Sequence, residues 1–223
     1  VPEDFPVTRW PEDSPIRPTT YNDWKARQEP YRPLEVERLF SADPDKNTDQ
    51  RGAMAIIVNA DLRSGIQTSL DRYVSDLAAD GYQAELITAS GGTPEEFRAF
   101  LLTQYQQGMQ GAVLIGDLPI AWYETYCWDP VEHETFPCDL YYMDLDGLWE
   151  DTDSDGMYDS HSGDVDPEIW IGRLTASPMT IYGADETTLL NNYFLKNHLY
   201  RIGQLPLADR TLLYIDDDWQ YSH

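Results

Sequence analysis

AMAIIVNA, residues Ala53 to Ala60, is an unbroken apolar run of strand length. A strand covered on one face alternates apolar and polar residues, whereas an unbroken run belongs to a strand buried on both faces. The flanking sequence supplies the covering helices. Ile66, Leu70, Tyr73, Val74 and Leu77 recur at helical spacing, and Gly81 offers a left-handed stop. Tyr82 to Thr88 reads as a second strand. Thr93-Pro94-Glu95-Glu96 then presents an N-cap, a proline at the first helical position and a glutamate at the third. That helix continues through Phe97, Phe100, Leu101 and Tyr105 towards Gly108, and GAVLIGDLP (Gly111 to Pro119) forms a third buried strand. Two successive β-α-β crossovers predict an α/β domain, a mostly parallel sheet flanked by helices in three layers. Ligands of such sheets collect beyond the carboxyl ends of the strands, here Asn59 to Leu62, Ala89 to Gly92 and Gly116 to Glu124.

Upstream, residues 1–52 read as an extended, proline-rich segment or linker: eight prolines fall within the first fifty residues, with no sustained periodicity. Phe5, Trp10, Tyr21, Trp24, Tyr31 and Phe40 are interleaved among them and predict packing onto an apolar surface. Downstream, EIWIGRL (Glu168 to Leu174) is a further strand, and a helix from about Asp185 to Gly203 bears Leu189, Leu190, Tyr193, Phe194 and Leu199. The α/β unit is thus expected to span 53–205. RTLLYI (Arg210 to Ile215) is a last strand, so that 206–223 reads as the start of a second subdomain in a polypeptide that continues.

The chain of 223 residues carries 40 acidic against 15 basic residues, a formal charge of -25. Such a surface repels phosphate backbones and anionic lipid, which excludes nucleic acid as a partner and favours cations. It also simply keeps exported proteins soluble. No apolar run approaches the roughly 20 residues that span a bilayer. The two cysteines, Cys127 and Cys138, lie close enough in sequence to be expected to form one disulfide in an oxidising compartment, two buried thiols being the alternative.

DTDSDGMYD, Asp151 to Asp159, is the sharpest chemical signal. Carboxylates at loop positions one, three and five (Asp151, Asp153, Asp155) converge when Gly156 makes the turn; the Met157 carbonyl and Asp159 follow at seven and nine. Hard oxygen donors suit Ca²⁺ better than Zn²⁺. Position twelve is Ser162 where an EF-hand places a glutamate, so Asp164 or Asp166 would complete the set. A merely solvated acidic loop is the alternative. In CDLYYMDLDG (Cys138 to Gly147) the alternation of acids and apolar residues predicts a strand or hairpin, with Asp144 and Asp146 as turn residues or a second cation site. His133 lies between the cysteines, either on a surface loop or paired with a thiol. Gly91-Gly92 is either a simple turn or an anion cradle before the Thr93 cap.

Taken in order, these segments resemble the gingipain-like (C25) cysteine peptidases. The resemblance rests on Gly116, Asp117 and Pro119; on Asp139, Tyr141, Tyr142, Asp144, Leu145, Asp146 and Gly147; and on Pro167, Ile169, Ile171, Gly172 and Arg173, and covers about Ala53 to Asp218. It implies a caspase-like α/β fold in two subdomains, secretion and calcium. It also implies a peptide or protein substrate for the whole protein. The family's catalytic "GHG" histidine and its cysteine belong to the second subdomain; no GHG segment occurs here and no cysteine follows Cys138. The resemblance therefore implies the N-terminal part of a secreted endopeptidase that needs its remaining subdomain, with no catalytic residue in this chain. A non-catalytic, calcium-stabilised extracellular binding module is the other reading.

Overall fold

The computed structural model describes residues 20–46, 48–126, 133–177, 179 and 184–205. Along the chain run α1 (Tyr21–Lys25), β1 (Glu35–Ala42), β2 (Gly52–Asn59), α2 (Ala60–Ala79), β3 (Tyr82–Ser90), α3 (Pro94–Gln106) and β4 (Met109–Ile115). They are followed by β5 (Trp122–Tyr126), β6 (His133–Pro137), α4 (Leu140–Met143), β7 (Leu148–Glu150), β8 (Ser160–Ser162), β9 (Trp170–Leu174) and α5 (Glu186–Arg201).

The main sheet has the order β1-β3-β2-β4-β9. β3, β2, β4 and β9 are parallel, and β1 joins β3 antiparallel. The fold is therefore α/β, with a mixed, mostly parallel sheet. Parity divides the core. Ala55 and Ile57 of β2 face Phe97, Leu101, Tyr141 and Tyr142 on one side. Met54, Ile56 and Val58 face Ile66, Leu70, Val74 and, from α5, Leu190 and Phe194 on the other. Ile56, Ile57 and Val58 are all fully buried, which is why the run shows no alternation. Each such side chain contributes about 1.5–3 kcal/mol by leaving water.

The crossovers begin where the caps predict. Asn59 ends β2, and its side chain accepts the Asp61 N–H at 2.9 Å to start α2. Thr93 and Glu96 form the reciprocal box that opens α3, with Pro94 in the first turn. At the sheet's far edge the Trp170 ring lies directly over Gly111; a Cβ there would approach it to 2.1 Å, so only glycine lets β9 pair at this point.

Two expectations are corrected. The segment through residue 52, read as extended or as a linker, is part of the domain at Glu35–Ala42, where β1 pairs with β3 from Glu35↔Ser90 to Ala42↔Ala84. Its burial pattern is almost wholly exposed, so an edge strand of this kind leaves no apolar periodicity to read. CDLYYMDLDG forms the short α4 and a turn instead of a strand. The Tyr142 N–H bonds the Asp139 carbonyl at 3.0 Å, the Asp144 N–H that of Leu140 at 2.9 Å, and the Asp144 carboxylate takes the N–H groups of Asp146 and Gly147, so the segment closes on itself as turns instead of pairing with a strand. The expected strand at 210–215, and Phe5 and Trp10, lie outside the described residues.

Candidate metal centre

Beyond the carboxyl end of β4 the chain leaves the sheet and builds two small hairpins, β5–β6 and β7–β8. The acidic loop connects β7 to β8. Its far side is pinned to β5, since the Tyr158 N–H donates to the Trp122 carbonyl and the Glu124 N–H to that of Tyr158, both at 2.8 Å. The Met157 side chain is buried with Tyr21 and Trp122.

Within the loop, Asp151 organises the turn: one oxygen accepts the N–H groups of Ser154 (2.7 Å) and Asp155 (3.2 Å), the other that of Gly156 (2.9 Å). Asp155 accepts the Met157 N–H at 2.8 Å. Ser154 and Gly156 have φ of 65° and 100°, so the predicted glycine at position six occupies a backbone conformation that suits it. Carboxylate oxygens of Asp151, Asp153 and Asp155 come within 4.8 Å of one another. A second triad, Glu124, Asp153 and Asp159, meets the same criterion and shares Asp153. Asp159 also accepts the Thr152 N–H and hydroxyl. A carboxylate has about four acceptor sites, so these internal bonds leave room for a cation.

Glu124 is the principal residue that sequence reading missed. It is buried on β5 and bonded to His133 Nε2 at 2.7 Å. Burial pushes its carboxyl up and Asp155 and Asp153 push it further, while His133 opposes them. A charged residue in the otherwise uncharged, aromatic-rich WYETY strand is the one signal that could have found it. Glu124, His133, Asp153, Asp155 and Asp159 line one open cavity of about 700 Å³.

The remaining candidate, Asp164, stands elsewhere. Its backbone lies against Gly147, and its charge acts on Asp146. It therefore borders a separate cluster, Asp144, Asp146 and Glu168, whose oxygens also lie within 4.8 Å. Asp144 is fully buried and caps the turn by accepting the N–H groups of Asp146 (3.2 Å) and Gly147 (2.6 Å). Its other oxygen bonds His161, and Arg98 donates to the Asp144 and Gly147 carbonyls. The turn role predicted for Asp144 is thus filled. Desolvation raises the Asp146 carboxyl, and Glu168, Asp164 and Asp144 add to the rise. Glu168 itself accepts the Leu145 N–H at 2.6 Å.

Cys127 lies outside the described residues. Cys138 carries a free thiol and sits at the opposite end of the β5–β6 ladder from the Tyr126↔His133 pair. Burial pushes that thiol up, against its role as a nucleophile. His133 bonds Glu124 instead. Gly91 and Gly92, with φ of 64° and 88°, make a turn, and the Gly92 N–H is taken by the Arg32 carbonyl at 2.8 Å.

At the switch point between β2 and β4, the Asn59 side chain donates to the Asp117 carbonyl at 2.6 Å. A cavity of about 310 Å³ opens there, lined by Asn59, Asp61, Gly91, Gly92 and Asp117, which is where the strand-end rule pointed. Burial raises the Asp117 carboxyl, with Glu186 adding to the rise and Arg173 and Arg27 opposing it. No described helix is long and apolar enough to cross a membrane. No family model, curated protein or solved structure matches the chain.

Proposed function

We propose that this chain is the N-terminal part of a secreted, gingipain-like cysteine endopeptidase, of caspase-like fold, whose acidic loop holds one structural Ca²⁺. The observation that carries the metal reading is the all-oxygen convergence of Asp151, Asp153 and Asp155, extended by Asp159 and Glu124 around the shared Asp153. The Met157 carbonyl completes the set. Oxygen-only ligation in a flexible loop suits calcium; magnesium demands a tighter octahedral shell. Asp164, bordering the other cluster, falls out of this ligand set.

The peptidase reading draws support from the way the three resembling segments meet at Arg173. Its guanidinium bonds the Asp139 carboxylate at 2.8–3.1 Å, and the Leu118 and Pro119 carbonyls at 3.3 and 3.2 Å. The Tyr142 hydroxyl donates to the same Pro119 carbonyl at 2.8 Å. Residues that repeat the family's pattern in sequence are thus bonded to one another in space.

A non-catalytic, calcium-stabilised extracellular module is the second reading. It is favoured by the pairing of His133, His161 and His198, each with a carboxylate: Glu124, Asp144 and Asp76. The sequence encoded downstream separates the two, a GHG segment with a later cysteine supporting the peptidase. Calorimetric titration with Ca²⁺ and Mg²⁺, with elemental analysis of the purified protein, tests the metal. Absence of calcium binding removes it from both readings.

A further inference from the structure

The acidic loop also holds the N-terminal segment of the chain. α1 has only five residues, too few to persist without tertiary support. Its support comes from the loop: the Tyr21 hydroxyl and the Lys25 ammonium both donate to the Asp155 carbonyl, at 3.3 and 2.9 Å. Tyr21 and Trp24 pack on Trp122, with ring centroids 5.3 and 5.6 Å away. Gly156 lets the Tyr21 hydroxyl pass; a Cβ there would lie 2.5 Å from it.

The direction of the Asp155 carbonyl is set by a fragile turn. The flanking residues, Ser154 and Gly156, are both left-handed, and the three N–H groups of the turn are gathered by carboxylates, all three by Asp151 and that of Asp155 also by Asp153 at 3.3 Å. Three carboxylates crowd the same turn. A divalent cation removes their mutual repulsion and fixes the carbonyl that α1 uses.

From α1 the chain runs across the switch-point cavity, which Trp24 and residues 27–32 line from above. Here Arg27 and Gln28 bond only to α1 itself, at the Asp23 and Trp24 carbonyls. The strap is fastened again at its far end, where Tyr31 and the Leu34 N–H bond Glu96 and the Gly92 N–H bonds Arg32. That second anchor contains no residue of the acidic loop. One end is therefore tied to the metal loop and the other to the α3 cap.

We propose that a cation in the Asp151–Asp159 loop latches residues 26–34 over the cavity at the β2–β4 switch point: the filled loop closes the cavity and the empty loop opens it. This rests on the calcium reading above. A bound ion also repels the Lys25 ammonium, but Lys25 bonds a carbonyl, not a carboxylate, and is exposed, so salt screens that repulsion.

Amide exchange read by mass spectrometry tests the latch, with calorimetry run on the same protein in Ca²⁺ and in chelator. Exchange across residues 21–31 is expected to slow roughly tenfold with calcium, the change in open population that one or two hydrogen bonds to a charged donor control. Exchange around Gly92 to Phe97 stays the same. Carbodiimide labelling of Asp61 and Asp117 on the cavity floor falls in step. The double variant Tyr21→Phe, Lys25→Met still binds calcium, about tenfold more weakly because the coupling is reciprocal, and loses the calcium-dependent protection. If calcium binds by calorimetry but leaves the exchange and labelling unchanged, or if the double variant keeps full protection, the latch is wrong and the metal reading stands. If no calcium binds, both fall.

Discussion

The strands and helices from Gly52 to Ile115 and the hairpins and loops from Trp122 to Glu168 are held by different forces. In the first, aliphatic side chains on alternate strand positions leave water on both faces, and the polar groups serve mainly as caps. In the second, carboxylates gather backbone N–H groups and two arginines gather carbonyls: Arg98 those of Asp144 and Gly147, Arg173 those of Leu118 and Pro119. The frame stands on burial, which responds weakly to ions. The site stands on charge, which responds to ions and to pH.

The largest effect expected sits in the frame. Phe97→Ala empties a fully buried position between α3 and Tyr142 and should cost about 3–5 kcal/mol in denaturant unfolding. The loss should be equal in calcium and in chelator; a loss that grows in chelator breaks the separation of the two regions.

Next comes the metal loop. Calcium at a hundredfold excess over Kd should stabilise the fold by about 2.7 kcal/mol. Asp153→Ala, which removes the residue common to both triads, should abolish most of that increment while leaving stability in chelator unchanged or higher. Melting scans with and without calcium decide it.

A smaller effect joins the regions. Tyr158, within the loop, donates to Glu95 of α3 at 2.6 Å. Burial works to raise the Glu95 carboxyl, but bonds from Tyr158, Thr93 and the backbone outweigh it and hold it below its ordinary 4.5. A carboxylate lowered in the folded state stabilises above its unfolded pKa, and that contribution fades as pH falls through the folded value. Tyr158→Phe should therefore cost about 1 kcal/mol near neutral pH and progressively less below pH 4.5. Urea titrations between pH 3 and 7 measure the slope; an equal cost at every pH counts against the bond.

The last test carries no energy. The β5–β6 ladder sets Cys138 five residues beyond His133, the partner of Tyr126, roughly 16 Å along the strand. A disulfide tolerates about 7 Å between Cα atoms. Titration under denaturing, non-reducing conditions should find two thiols; none would mean that a Cys127–Cys138 bridge replaces this hairpin register.

Legibility followed the same divide. Ala53–Ala60, the Thr93 box and Gly81 announced the frame because burial on both faces and helix capping leave local patterns. The DTDSDG spacing announced the loop, since one turn determines which carboxylates meet. Glu124, Glu168 and Arg173 gave no comparable sign: apart from the Glu124–His133 pair across one hairpin, their partners lie 22 to 55 residues away and are joined only by the fold. β1 was hidden for the converse reason, as its partner strand begins forty residues later and its own face is solvated.

That separation has a kinetic side. β1 leaves the ribosome before β2, yet it pairs with β3, so Glu35–Ala42 must wait until Tyr82–Ser90 has been made and laid beside β2. Closing so long a loop makes the contact non-local and slow. The N-terminal segment is thus among the last parts of the frame to settle. Until it does, the outer edge of β3 is an unpaired template for another chain, and the charged Glu35, Glu37 and Arg38 travel on the strand that eventually covers it.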